Sequence, residues 1–414
     1  MKNIFKTSIQ IFSLLMTLVT VVTLSGCEDY PDAYKTTSGV PEVYYARIPD
    51  ALSSDSLITH AYMGTTIALV GKNLTSVKEL WFNDKKADLN TSLITSEALI
   101  VIVPEKIPDN VTSKIYLINA VGDTVKFDFG VDVPNPLLSS MDCEYVADGD
   151  VATINGNYFL PVDGSEVPEV TFTPNIKATE IVSFTLNQIK VKVPQGASAG
   201  PVSVTSRYGT TRSTSFYFRD NRGIILDWDN TNASGGWRAG NLASDGGISG
   251  NYVKFSGSLD DSEGAGSSWN EDGFSFNLWG VANGRAQGDL FSTDPSTSVL
   301  KFEINVTKAW SCCALQMIFT PWATAGTNSY IADGVTPRGL WRPWESTGTF
   351  TTDGWITVTV PLSDFKYTQT GSEIKAASAG NFGGLTFFVY HGGIKGDACT
   401  PEMHIDNIRV VPAN

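Results

Sequence analysis

The sequence is 414 residues long, enough for about two to four domains, and with 42% hydrophobic and 17% charged residues it is globular rather than disordered. A net charge of −14 excludes the basic face that nucleic acid requires and disfavours anionic polysaccharides, while leaving neutral ones compatible. Abundant Gly, Ser, Thr and Val, with no long Ala/Leu/Glu/Lys runs, point to an all-β chain with many turns.

In chain order, Lys2 and Lys6 precede an apolar run from Ile9 to Leu24, cut by Leu24-Ser25-Gly26-Cys27. This resembles a bacterial lipoprotein signal, which implies lipidation at Cys27 and removal of the residues before it. An ordinary secretory signal with a chance cysteine is the alternative. No other segment is apolar for long enough to span a bilayer, so the mature chain is expected to hang from one membrane face by its lipids. Residues 28–39 are polar and turn-rich and read as a linker.

From 40 to 133, short apolar strands alternate with turns. Thr66 to Val70 leads into Gly71-Lys72-Asn73-Leu74, then Val77 to Phe82 with Trp81 read as core. Leu99 to Val103 is closed by Pro104, and Ile115 to Asn119 and Thr124 to Phe129 flank the turn at Val121-Gly122-Asp123. Residues 134–220 repeat the plan. Val151 to Ile154 enters Asn155-Gly156-Asn157-Tyr158-Phe159, Val170-Thr171-Phe172 matches the Trp81 strand, and Gln188 to Val193 is closed by Pro194. Val202 to Val204, a turn at Tyr208-Gly209-Thr210 and a strand Ser213 to Phe218 complete the copy. The pattern resembles the immunoglobulin-like TIG family, which implies two small β-sandwiches.

After Asp220 the composition shifts to Trp, Gly and Ser, and residues 221–414 fit one larger jelly-roll-like sandwich. Its expected strands are Leu300 to Val306, Ala314 to Thr320, Trp355 to Leu362, Leu385 to Tyr390 and His404 to Val410. The cysteines beyond the signal are Cys143, Cys312, Cys313 and Cys399. Adjacent strand residues face opposite ways, so at most one of Cys312 and Cys313 easily reaches Cys399, and sequence leaves the pairing open. Neither these cysteines nor His60, His391 and His404 show zinc spacing. No cofactor is expected; a structural calcium in the C-terminal sandwich is left open.

Nine of the ten tryptophans follow residue 220. Trp228 and Trp355 sit in apolar alternation and read as core. Trp237, Trp269 and Trp279 lie in Gly/Ser/Asn-rich stretches and read equally as loop staples or rim contacts. Trp310, Trp322, Trp341 and Trp344 fall at strand ends or in loops, where ligand-binding side chains concentrate. A sugar face covering an indole removes roughly 50–80 Å² of apolar area, worth roughly 1–2 kcal/mol per ring. Three such rings imply a Kd on the order of 10 µM to 1 mM, improved on a polymer by avidity. Arg338, Arg342, Glu345, Asn328 and Tyr330 are candidates for bonding the sugar hydroxyls, and sequence does not rank them.

Several segments carry a more specific likeness: Lys301 to Asn305, Ala314 to Phe319, Leu340 to Trp344, Gly354 to Val358, Phe382 to Thr386 and Ile405 to Arg409. Together with the lipoprotein signal and the TIG-like units, they make the chain similar to the surface glycan-binding proteins of polysaccharide-utilisation systems. Its C-terminal part is similar to their xyloglucan-binding domain. That resemblance implies a cell-surface lipoprotein of the outer membrane, and Glu28-Asp29 resembles the signal for surface display. It further implies non-catalytic binding of a neutral polysaccharide, a β-glucan such as xyloglucan or mixed-linkage glucan. The implied partners are a TonB-dependent outer-membrane transporter with its surface lipoprotein partner, and a surface hydrolase. The alternatives are a jelly-roll glycoside hydrolase or a structural, adhesive surface protein. The first would need two carboxylates across a cleft, but Asp260-Asp261-Ser262-Glu263 has the wrong spacing and no Gly-x-Ser-x-Gly elbow is evident. The second would favour Tyr, Arg and aliphatic anchors over loop tryptophans.

Overall fold

The computed structural model describes residues 37–53, 55–233, 240–260, 271–278, 292, 294–321 and 329–413. Cys27, Trp237, Trp269, Trp279 and Trp322 lie outside the described residues. The chain is all-β, and it divides into two compact units between Pro134 and Asn135.

The first unit is a sandwich. One sheet aligns Glu42–Arg47, Thr66–Lys72 and Ala98–Ile102; the other aligns Lys85–Ala87, Val77–Phe82, Lys114–Asn119 and Thr124–Asp128. Alternation sends Ile67, Leu69, Leu80, Phe82, Leu99, Ile115 and Leu117 inward. The same alternation corrects the reading of Trp81. Between inward Leu80 and Phe82 it must face out, where it is half-buried, pairs with Lys86 and Tyr116 across the strands and donates to Glu79 Oε2 at 3.0 Å.

The second unit opens with a sandwich of the same plan. Leu137–Met141, Val151–Asn157, Gln188–Lys192 and Ile181–Phe184 form one sheet; Ile176–Lys177, Glu169–Phe172, Ser203–Ser206 and Gly209–Arg212 form the other. The expected strand at 213–218 is absent from these sheets. The ladder is instead completed by Gly209–Arg212 after a tight turn at Arg207-Tyr208. The repeat extends to a detail. Gly71 and Gly156 each face a β-bulge in the neighbouring strand, and a Cβ there would overlap the carbonyl oxygen of Glu42 or Leu137. Only glycine lets the strands approach this closely.

The C-terminal sandwich has a back sheet of Asn241–Ala243, Tyr252–Ser256, Glu402–Pro412, Ser298–Lys308 and Ile356–Pro361, with Ile224–Leu226 beside Glu402–Pro412. Its front sheet runs Ser275–Leu278, Gly384–Val389, Leu315–Thr320, Arg338–Trp341. Between them lies one core that includes Phe255, Phe276, Leu300, Phe302, Met317, Phe387 and Ile405.

The outer face of the back sheet is joined to the second sandwich by buried charges. Arg409 is fully buried and holds Glu303 through two bonds of 2.7 and 2.9 Å, and Glu144 of the second sandwich at 2.7 Å. Lys301 donates to the other oxygen of Glu144. Thr357 donates to Glu303 and receives the backbone N–H of Glu144. Two carboxylates and two cations therefore neutralise one another where water is excluded, which is the condition for burying charge without a large penalty.

Candidate functional site

Strand register sorts the candidate aromatics. Trp341 closes a strand that the sequence reading placed in a loop, and it pairs with Leu315 at the start of the central front strand. That position faces the core, so its half-buried ring packs on Phe302, Trp310 and Phe350, with centroids 6.1, 5.6 and 5.6 Å away. Trp310 has no exposed surface and Trp344 is 4% exposed. Their indole N–H groups donate to the carbonyls of Cys312 and Cys313, the latter bond being 2.8 Å. Cys313 has φ of 65°, so this two-residue turn points its carbonyls away from any strand partner, and the two indoles satisfy them. The expectation that Trp310 and Trp344 contact ligand is corrected: they are core residues that hold a turn.

Tyr330 is buried as well, at 2% exposure. Arg342 donates to the Gly392 carbonyl and lies 3.3 Å from Glu345. Trp228 is buried, as expected, with its ring edge-on to Phe276. Trp355, expected in the core, is half-buried on the other side of the back sheet, where it packs on Tyr252 and His404 and donates to Gly246 O at 3.1 Å. It lines an open groove of about 850 Å³ with Asp142, Lys190, Asp353 and Thr357.

The central front strand also separates the candidates. Leu315, beside Trp341, and Thr320, after which Trp322 follows in sequence, are its two ends, roughly 17 Å apart at the usual strand rise. Trp322 itself lies outside the described residues.

The outer face of the front sheet carries polar side chains, of which the sequence singles out Arg338 but not Asn277, Gln316 or Thr386. Register aligns Asn277, Thr386, Ile318 and Arg338 in one row across the four strands, and Ser275, Phe388, Gln316 and Leu340 in the next. Asn277 Oδ1 accepts from Thr386 and, at 3.3 Å, from Tyr330, while its buried Nδ2 has no partner among the described residues. Arg338 bridges Gln316 Oε1 and the carbonyls of Ile331 and Tyr330 at 2.8 to 2.9 Å. Burial pulls its guanidinium down to about 10, so it stays charged at neutral pH, with Asp333 3.9 Å away. Phe388 and Tyr390 stack at 5.1 Å in the same face. Tyr330 and Ile331 pack with Ile318, Phe388 and Tyr390 on this face, so the amide, hydroxyl and guanidinium groups are buried and form a polar layer that stiffens the front sheet. The available signal was the alternation Asn277, Gln316, Thr320, Thr386: polar residues inside otherwise apolar strands. Among the described residues, no group of three or more His, Cys, Asp or Glu side chains is placed to hold a metal ion.

The family model described as the surface glycan-binding protein B xyloglucan binding domain matches residues 218–412. The crystal structure of a surface glycan-binding protein B from Prevotella bryantii is similar with a TM-score of 0.77, at 32% identity over 91% of this chain and all of that one. The chain belongs to the surface glycan-binding protein B family. A second solved structure, a surface glycan-binding protein B from a xyloglucan utilisation locus of Bacteroides uniformis, covers 90% of this chain and all of its own at 17% identity and a TM-score of 0.45. An IPT/TIG domain-containing protein of Bacteroides ovatus is 23% identical over 52% of this chain, and the match spans 46% of that relative's length. The match to the xyloglucan-binding domain model includes both sheets of the C-terminal sandwich and so the whole polar row of this surface glycan-binding protein.

Proposed function

We propose that this surface glycan-binding protein captures a neutral β-glucan, of the xyloglucan or mixed-linkage class, on its C-terminal sandwich without cleaving it. The observation that carries the reading is the match of residues 218–412 to a domain family described as xyloglucan-binding. The buried carboxylates of that sandwich support a binder over a hydrolase: Glu303 is paired with Arg409, and Asp406 accepts from Ser249 and Asn407. Neither is free to act as acid or nucleophile across a cleft.

The ligand lies at the Thr320 end of the front sheet. Leu278 and Thr320 both sit at that end, on either side of Gly384-Leu385, and Trp279 and Trp322 follow them in sequence. Alternate strands are about 10 Å apart, a span that suits two sugar residues of an extended glucan. We assign the sugar-facing indole to Trp322, which follows Thr320 in sequence, and the buried Asn277 row holds the sheet that carries the site. The protein works as a lipoprotein anchored through Cys27 at the outer cell surface, passing glucan to a TonB-dependent transporter and its surface lipoprotein partner after a surface hydrolase has cut it. The two TIG-like sandwiches act as spacers.

Electrophoresis through gels containing xyloglucan, mixed-linkage glucan, mannan or xylan tests the reading, with product analysis alongside. Retardation by β-glucan without release of reducing ends supports it. Oligosaccharide release would replace it with a hydrolase, and no retardation on any glycan would favour an adhesive role.

A further inference from the structure

Three cysteines meet beside the turn that the two indoles hold. Cys312 Sγ lies 3.5 Å from Cys399 Sγ and 4.0 Å from Cys313 Sγ. The two segments are fixed against each other by their backbones. Asp397 N–H donates to Ser311 O at 3.0 Å, Ser311 Oγ donates back to Asp397 O at 2.9 Å, and Cys399 exchanges backbone bonds of 2.8 and 3.0 Å with Leu259. A Cβ at Gly396 would overlap the Ser311 carbonyl oxygen, so glycine there permits the close approach. The sulfurs stand 3.5 Å apart, against about 2.05 Å in a disulfide bond, so the segments already hold them close to bonding distance.

We propose that Cys312 and Cys399 form a structural disulfide, made once the C-terminal sandwich has folded. Their access differs in the way such a step requires: Cys399 is partly exposed and Cys312 is fully buried. The thiolate of Cys399 attacks one sulfur of a small-molecule disulfide, releasing one thiol and forming a mixed disulfide. The thiolate of Cys312 then attacks Cys399 Sγ, forming the internal bond and releasing the second thiol. Two protein thiols lose two electrons and two protons, and the external disulfide is reduced to two thiols. The neighbouring sulfur and burial push the Cys312 thiol up to about 12, and Cys399 is raised further. Thiolate is therefore scarce at neutral pH, and the pair suits a stable staple better than a cycling redox centre. The loop it closes contains the front strands Leu315–Thr320, Arg338–Trp341 and Gly384–Val389. Cys143 takes no part: it is buried in the second sandwich and donates to Tyr145 O.

The purified protein is incubated with oxidised glutathione, denatured in urea with a chelator, alkylated and digested. The expected map has the peptide holding Cys312 and Cys313 linked to the Cys399 peptide, with the alkyl group on Cys313. The linkage persists in Cys313→Ser and vanishes in Cys399→Ser. Reduction lowers the Tm of the wild type and of Cys313→Ser by about 5–15 °C and leaves Cys399→Ser unchanged. Full alkylation of Cys143, Cys312, Cys313 and Cys399 after oxidation overturns the proposal, as does a Cys312–Cys313 or Cys313–Cys399 link. The wild-type map decides between these outcomes even where a variant fails to fold.

Discussion

The indole N–H of Trp344 donates to the carbonyl of Cys313 at 2.8 Å, while Trp310 holds the carbonyl of Cys312 in the same turn. Two rings that look like ligand contacts in sequence are thus bonded into the core. Trp344→Ala removes both volume and donor and is expected to cost about 3–5 kcal/mol. Trp344→Phe keeps most of the packing but leaves a buried carbonyl unpaired, for about 1–3 kcal/mol. Urea denaturation checks both values. A Trp344→Ala protein with wild-type stability and lost glycan binding would return Trp344 to the binding site.

What could be read from the sequence, and what could not, follows one physical line. Apolar alternation located Leu300 to Val306 and Gln188 to Val193 as strands, because burial of one face writes itself every second residue. It missed Arg338–Trp341, where Gly339 interrupts the run and Pro343 suggests a loop. A tryptophan at a strand end looks the same whether it turns inward or outward, and the turn carbonyls that claim Trp310 and Trp344 are set by tertiary structure. Of the Asn277 row only Arg338 stood out in the sequence, since its members come from four strands spread between 277 and 386 and only register aligns them. The Ile405-Asp406-Asn407-Ile408-Arg409 segment showed its family likeness but not its task. Asn407, at φ 50°, bulges the strand, and Arg409 enters the buried charge cluster.

That cluster makes the joint between the second sandwich and the C-terminal sandwich a single energetic unit. Arg409→Met leaves Glu303 and Glu144 buried with only Lys301 as counter-charge, at an expected cost of about 3–5 kcal/mol. Calorimetry of the wild type should show these two sandwiches melting together, and Arg409→Met should split the transition. A variant that melts as one unit at the wild-type temperature would show the charges to be dispensable.

Asp406 gives stability a pH dependence of known sign. Burial pushes its carboxyl up to about 8, against an ordinary value of 3.8, despite bonds from Ser249 and Asn407. The folded state therefore holds a proton that the unfolded state releases above about pH 4. This contribution is complete below that pH and is lost as pH rises through 8, at up to about 1.4 kcal/mol per pH unit. Glu402 acts oppositely: Lys308, Lys254 and His404 hold it down to about 2, so its contribution is present above the ordinary carboxylate range and disappears as pH falls towards 2. Denaturation midpoints between pH 5 and 8 are expected to fall with rising pH in the wild type and to flatten in Asp406→Asn. An unchanged slope in that variant would remove Asp406 from the account.

The binding site itself separates from the core by the same pairing of measurements. Trp322→Ala is expected to weaken β-glucan binding by roughly 1–2 kcal/mol, about 5- to 30-fold in Kd, with an unchanged Tm. Asn277→Ala removes the buried acceptor shared by Thr386 and Tyr330; it should lower stability by about 1–3 kcal/mol and weaken binding through the sheet it holds. Because the ligand is neutral, affinity should hardly change between low and high salt, despite the net charge of −14. Calorimetric titration with xyloglucan and mixed-linkage oligosaccharides reads all three. A steep salt dependence would point to a charged ligand. Wild-type affinity in both variants would move the site away from the Thr320 end of the front sheet, with the Trp355 groove as the next place to mutate.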